Sequence, residues 1–315
     1  MKITEAIRTG IKNVGRSKRY ILLVYFLNLV VAMVFAAILA GTIQDSLGSS
    51  QAAENMSTGF DGLWYNSYRA EAGGLAATFE PGVVGIGAIL KSLDAFISGN
   101  LTEGFAGIVF MGVVMMLFWT FFSGGFISLY ANQDEQSTFF QKAAEFFPRF
   151  IVLWLMATIL YFILFGFVMS WLSDIVSSLT RETLDERVHF FYTVIKYFIL
   201  WVLVWFVNML FDYSKILTVL QDHKNALTAP IKAFKMIVQN FGKTFGLYYS
   251  IGIIWLLFFG IYWLLAFDPS SSSSWLAVFV PFILGQFYIL SRIWTRCLFY
   301  GGQTTMGGAL IENVD

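Results

Sequence analysis

Six long apolar runs alternate with polar gaps along this chain: Tyr20 to Ile43, Phe105 to Tyr130, Phe150 to Trp171, Phe190 to Phe211, Thr244 to Phe267 and Trp275 to Leu290. Crossing roughly 30 Å of hydrocarbon at about 1.5 Å per residue takes about 20 mostly apolar residues, so each run predicts a spanning segment. Backbone N–H and C=O groups in hydrocarbon must be satisfied within the segment, which predicts a helix for each run. A transmembrane barrel would show alternating segments of about ten residues, whereas these runs are continuous. The sixth run is short, but its helix can continue through Arg292 and Arg296, whose long side chains can reach the head groups. The predicted fold is therefore all-α: one polytopic membrane domain over residues 1–315, with six transmembrane helices and amphipathic interfacial helices beside them.

The gaps have patterns of their own. In residues 1–19, Ile3, Ile7, Ile11 and Val14 recur at helical spacing with Ala6 and Gly10 beside them, and the basic residues mostly take the other faces. That is an amphipathic helix able to lie on a membrane surface, or simply to anchor the first span. Residues 44–104 form the largest external loop. Its first part, with FDGLWYNSY from Phe60 to Tyr68, is rich in Gly, Ser, Asn and aromatics; its second part places Ile86, Ile89, Leu90, Leu93, Phe96 and Ile97 at helical spacing after Pro81. Asn-x-Ser/Thr triplets at Asn55 and Asn100 would matter only in a eukaryotic secretory pathway. After the second run, Thr138 and Gln141 have capping-box spacing. Phe139, Phe140, Phe146 and Phe147 are expected at the interface, and Pro148 marks a break or a first turn before the third run. The gap from Asp212 to Lys243 reads as a polar turn at His223 to Asn225, then a second amphipathic helix. Its apolar face carries Leu227, Ile231, Phe234, Ile237 or Val238, and Phe241. DPSSSSSW, Asp268 to Trp275, reads as a flexible outer hairpin loop.

Charge adds an orientation. Alternate gaps hold 15 of the 20 Lys and Arg residues and the other gaps hold 12 of the 20 acids, although the chain sums to zero. By the positive-inside rule the N-terminal segment, the gap after the fourth run and the C-terminus are cytoplasmic, and residues 44–104 external. The composition, 57% hydrophobic and 13% charged, with a mean hydropathy of +0.69, excludes an ordinary soluble domain. The first run, about 24 residues, exceeds a signal-peptide core, so an uncleaved span is expected. The single cysteine, Cys297, excludes an intrachain disulfide.

Motifs for chemistry are sparse. His189 and His223 are the only histidines and fall on opposite sides of the predicted membrane. No HExxH, GxSxG, phosphate-binding loop or dinucleotide fingerprint occurs, and no metal, cofactor or catalytic residue is expected. Polar groups within apolar runs mark structure or function in membranes. Lys196 is placed to snorkel outward, and Asn28, Asn208 and Gln286 are the intramembrane polar candidates; interhelical hydrogen bonds account for them without a ligand. Asp212 ends the fourth run, and Arg292 and Arg296 share one face of the sixth helix, so an interhelical ion pair is expected, with Asp212–Lys215 as the local alternative. Charge reversal tests it: Asp212→Arg and Arg296→Asp should each lower thermal stability and together restore it, and a harmless Asp212→Arg would end the idea. Gly124–Gly125 and Gly246 with Ser250 are small-residue sites for close helix approach.

DYSKILTVLQDHKNAL followed by AFKMIVQNFGKTFGLYY, within Asp212 to Tyr249, together with GGFISLY in the second run, resembles uncharacterised bacterial six-span inner-membrane proteins. These are distantly similar to the membrane domain attached to some glycerophosphodiester phosphodiesterases. The resemblance implies a bacterial inner-membrane location and carries over no catalytic residue. Three functions follow as expectations. The first is a non-catalytic membrane protein binding membrane lipids or a protein partner, such as an accessory subunit or a homo-oligomer. The others are a small oligomeric transporter or channel, and a lipid-modifying membrane enzyme. No nucleic-acid partner is expected.

Overall fold

The computed structural model describes residues 1–48, 51–55, 61–79, 106–131, 138–182, 185–222, 225–265 and 275–311. Among the described residues the regular structure is helical throughout, without a strand. In chain order the helices are α1 (Ile3–Arg16), α2 (Lys18–Gly48), α3 (Ala52–Asn55), α4 (Gly62–Glu71), α5 (Ala106–Ala131), α6 (Phe139–Ile163), α7 (Met169–Thr180), α8 (Glu186–Leu220), α9 (Ala229–Gln239), α10 (Phe241–Leu265) and α11 (Trp275–Ile311). A single π turn, Leu164–Val168, joins α6 to α7. Among the described residues, five stretches are long and apolar enough, by length and composition, to cross a membrane: Lys18–Gly48, Gly112–Ala131, Phe139–Thr180, Glu186–Leu220 and Phe241–Leu265. This is the make-up of a multi-pass membrane protein. The apolar surface agrees: Phe26, Val30, Met33 and Val34 of α2, and Phe162 and Phe167 in the α6–α7 stretch, are exposed, as suits side chains facing lipid rather than water. The sixth run opens α11, which does continue through Arg292 and Arg296, as far as Ile311.

The chain divides into two compact units. The first comprises Met1–Arg16, Leu117–Ile251 and Cys297–Asp315; the second comprises Ser17–Met116 and Gly252–Arg296.

In the first unit, α5 and α6 meet through glycine. A Cβ on Gly125 would lie 2.7 Å from the Phe139 ring, and one on Gly124 would lie 3.3 Å from the Ala143 Cα and the Phe146 Cβ. The absent side chains admit Phe139 and Phe146, both buried. Of the four phenylalanines expected at the interface, these two pack inside the protein. Only Phe140 is exposed, while Phe147 is half-buried with its ring 5.6 Å from Phe121. Two other expectations also fail. The helix runs through Pro148 without a break. Thr138 precedes α6 with φ −105° and ψ 10° and makes no side-chain cap; a capping hydroxyl needs extended backbone to reach the free N–H groups. The α6–α7 stretch pairs antiparallel with α8. Arg149 bonds Asp222 at 2.7 Å near one end, Thr180 Oγ1 lies 3.1 Å from His189 Nδ1 at the other end, and Lys196 Nζ donates to Ser173 Oγ at 3.4 Å about two turns in from that second end. Lys196 also lies over the Tyr197 ring at 4.4 Å. Asp222 has φ 44°, a left-handed turn conformation that Asp tolerates better than most residues.

The second unit holds a small aromatic cluster that the loop-like composition of residues 44–104 conceals. Ala52, Trp64 and Tyr68 are buried against Ile43, Leu47, Tyr65, Ala72, Ala76 and Phe79. The Trp64 indole N–H donates to Ser46 Oγ at 3.2 Å and stacks on Tyr68 at 5.2 Å. Helix α4 starts at Asp61, whose carboxylate accepts from the Leu63 and Trp64 amides at 2.9 and 3.0 Å. The Trp64 amide, then the Asn55 side chain, hold the Asp61 carboxyl below its usual pKa of 3.8. A depressed folded pKa gives stability that is present above the unfolded value and lost as pH falls through the folded one. Protection of the Leu63 and Trp64 amides, taken relative to their intrinsic exchange rates, should therefore fall on acidification below about pH 3.8. In Asp61→Asn, which still caps, that acid-dependent loss of protection should vanish. The helix expected after Pro81, the Asn100 triplet and the hairpin loop up to Ser274 lie outside the described residues.

Also in the second unit, α10 and α11 are antiparallel partners joined by aromatic rings. Phe258 meets Trp294 at 5.8 Å, and Tyr262 stacks on Tyr288 at 4.6 Å.

Candidate functional site

The first unit is organised around the C-terminal part of α11. Cys297, Leu298, Tyr300, Gly301, Gly302, Gln303, Thr304, Met306 and Gly307 are all buried there. A helix buried on every side needs small residues wherever neighbours approach closely, and three glycines supply them here. A Cβ on Gly10 of α1 would stand 2.9 Å from the Gly302 backbone nitrogen, and one on Gly301 would stand 3.2 Å from the Gly10 Cα. A Cβ on Gly246 of α10 would lie 2.7 Å from Ile3 Cδ1. So α1 is docked through Ala6, Gly10, Asn13 and Val14, all buried, while Ile11 is exposed and Ile3 and Ile7 are half-buried. The isoleucine row expected to face a membrane is thus not the main buried face of this helix. The small-residue row is, because only it permits backbone-to-backbone contact. Lys2, Arg8, Lys12 and Arg16 remain on the exposed side.

Helix α8 approaches α11 at Gly307, where a Cβ would lie 3.3 Å from Ile216 and 3.7 Å from Leu220. Farther back, Tyr248 of α10 bridges the same two helices, with its ring 5.6 Å from Trp205 and 4.7 Å from Phe299. The two levels run in the same order along both helices, so α8 and α11 are parallel here. This unit also carries most of the buried polar side chains: Asn13, Thr120, Ser123, Ser128, Asp212, Ser214, Thr218, Thr244, Gln303 and Thr304. Several bond within their own helix; Ser214 donates to Leu210 O and Thr218 to Ser214 O. The Asn13 amide nitrogen and the side-chain polar atoms of Ser128, Tyr213, Gln303 and Thr304 are buried without a hydrogen-bond partner in the protein.

Helix α9 has two unlike faces. Ala229, Pro230, Ala233 and Ile237 are buried, and the Phe206 ring of α8 meets Phe234 at 6.1 Å. Leu227, in the 3-10 turn Ala226–Thr228 that leads into α9, and Ile231, Phe234 and Val238 of α9 form an exposed apolar stripe, with Ile231 72% exposed. Lys232 and Lys235 are exposed beside it. The start of the segment is fixed by Asn225, which accepts the Leu227 amide at 3.1 Å.

The sequence candidates are distributed more widely. Asn28 donates to the Val24 carbonyl of its own helix at 2.8 Å. Gln286 Oε1 accepts the Tyr25 hydroxyl at 2.9 Å, an interhelical bond of the expected type within the second unit. Asn208 is half-buried on α8. Asp212 is buried in the first unit, whereas Arg292, exposed, and Arg296, half-buried, belong to the second. Sequence reading passed over Tyr213, Gln303 and Thr304. Gln303 lies beyond the sixth apolar run, in a stretch read as the approach to a cytoplasmic tail. The available signal was the glycine spacing GGQTTMGG from Gly301 to Gly308, which marks a closely packed helix. Among the described residues no group of three or more His, Cys, Asp or Glu side chains could hold a metal ion.

No family model, curated protein or solved structure matches this chain.

Proposed function

We propose that this chain is a non-catalytic integral membrane protein that binds anionic lipid at its cytoplasmic face. In this reading it spans the membrane six times, with both termini cytoplasmic, in a bacterial inner membrane, and it serves as an accessory subunit or a homo-oligomer. The resemblance of Asp212 to Tyr249 to six-span bacterial proteins and the sorting of charge among the gaps support the location. The observation that carries the lipid reading is α9. Its small-residue face is packed into the protein, and its stripe of Leu227, Ile231, Phe234 and Val238 points outward with Lys232 and Lys235 alongside. An apolar stripe with flanking lysines suits the boundary between acyl chains and anionic head groups. The rigid seating of α9 holds that stripe in one orientation.

Native mass spectrometry of the protein released from nanodiscs of mixed phosphatidylglycerol and phosphatidylethanolamine tests this. Phosphatidylglycerol should be retained preferentially. Each surface lysine contributes about 1 kcal/mol of attraction to anionic lipid, so Lys232→Gln with Lys235→Gln should cut the preference by about thirtyfold. Equal retention of the two lipids by the unaltered protein would refute the reading.

The buried polar set of the first unit supports a second reading, a small oligomeric transporter or channel. Solute flux in proteoliposomes, absent from empty vesicles, would favour it over the first.

A further inference from the structure

Tyr213 and Gln303 carry unpartnered buried polar groups on two helices that pack against each other. On α8, Met209, Tyr213, Ile216 and Leu220 follow one another at three- and four-residue steps and therefore share a face. Ile216 and Leu220 of that face meet α11 at Gly307. On α11, Gln303 lies four residues before Gly307 and so shares the face turned to α8, with Thr304 beside it. Because the helices run parallel here, one turn back from the Gly307 contact brings Gln303 and Thr304 to the level of Tyr213. Tyr213 and Gln303 are 0% exposed and Thr304 is 3% exposed. The Tyr213 hydroxyl, both amide atoms of Gln303 and the Thr304 hydroxyl have no hydrogen-bond partner in the protein.

Buried polar groups are almost always satisfied, by protein or by a bound molecule. Here two donors and an acceptor on the amide, and two hydroxyls that can do either, belong to residues on the helix faces that meet at Gly307. All of these groups are neutral. We infer that the Tyr213–Gln303–Thr304 seam between α8 and α11 is a binding site for a small uncharged hydroxylic ligand, either water or a polyol such as glycerol. Such a ligand both donates and accepts, as the three side chains require, and needs no counter-charge. The site lies within the first unit and is independent of the lipid-facing stripe on α9, so either assignment can fail without the other.

Radiolytic hydroxyl footprinting of the unaltered protein in nanodiscs is the first test, because radicals form from water lying against a buried ring. Tyr213 should be oxidised well above Phe126 and Phe150, which are as deeply buried. A Tyr213 signal no higher than theirs, both without glycerol and after displacement of bound polyol by dialysis, overturns the proposal. The second test is a mutant cycle read by thermal unfolding. Tyr213→Phe and Gln303→Met should each lower the midpoint, and the pair should lower it by less than the sum, since a shared ligand couples the two sites. Midpoints that stay level or rise, or effects that add, overturn it as well. Glycerol titration then separates the sources: a polyol site gives the unaltered protein a larger glycerol-dependent rise than the double variant, and a water site gives both the same rise.

Discussion

Gly10→Val is expected to release α1 from the first unit. Its Cβ would stand 2.9 Å from the Gly302 backbone nitrogen and 3.2 Å from the Gly302 Cα, so the obstruction is main chain and no rotamer change relieves it. Overpacking of this kind typically costs about 1–3 kcal/mol, and the branched side chain of valine enlarges it. The loss should register as a lower unfolding midpoint and as tryptic cleavage at Arg8, Lys12 and Arg16 in the otherwise folded protein. Gly15 supplies the control on the same helix. Nothing lies within 4 Å of its would-be Cβ, so Gly15→Ala removes backbone freedom without a clash and should stabilise α1 by about 0.5–1 kcal/mol. If both substitutions behaved alike, helix propensity and not docking would govern this segment.

Gly125→Val is expected to have a comparable effect by a different route. Its Cβ would lie 2.7 Å from two carbons of the Phe139 ring. That ring is itself confined, 5.2 Å from Phe126 and 5.3 Å from Phe140. Because the obstruction is a side chain, it can be removed: Phe139→Leu should recover much of the midpoint lost to Gly125→Val, although alone it opens a cavity and destabilises. Additive losses in the double variant would show that Phe139 is not what Gly125 accommodates.

The apolar runs were legible because hydrocarbon imposes a length and a composition that few other environments require. The amphipathic character of α9 was equally plain, since Leu227, Ile231, Phe234 and Val238 keep a strict helical step. What periodicity could not supply was the direction each face takes. In α1 the isoleucines and the small residues are both candidate contact faces, and the choice depends on glycines nearly 300 residues away, at Gly301 and Gly302. The same applies to Phe139 and Phe146, whose burial depends on Gly124 and Gly125 in another helix. Glycine near glycine carries little signal along the chain and a strong one across it. The polar seam was hidden for a related reason. Gln303 and Thr304 look like tail residues once hydropathy falls, yet neighbouring helices bury them on all sides.

The outward stripe of α9 is the feature on which the lipid-binding account rests, and site-directed spin labelling reads its surroundings directly. Cys297 is buried and can be replaced by alanine to leave a background free of reactive thiols. Nitroxides introduced through Ile231→Cys and Val238→Cys, and at the exposed control Gly15→Cys, are then compared in nanodiscs by their collision rates with oxygen and with a water-soluble nickel chelate. Ile231 and Val238 should collide mainly with oxygen, as in acyl chains, and be largely protected from nickel relative to Gly15. Nickel accessibility at Ile231 equal to that at Gly15 would place the stripe in water and contradict the account.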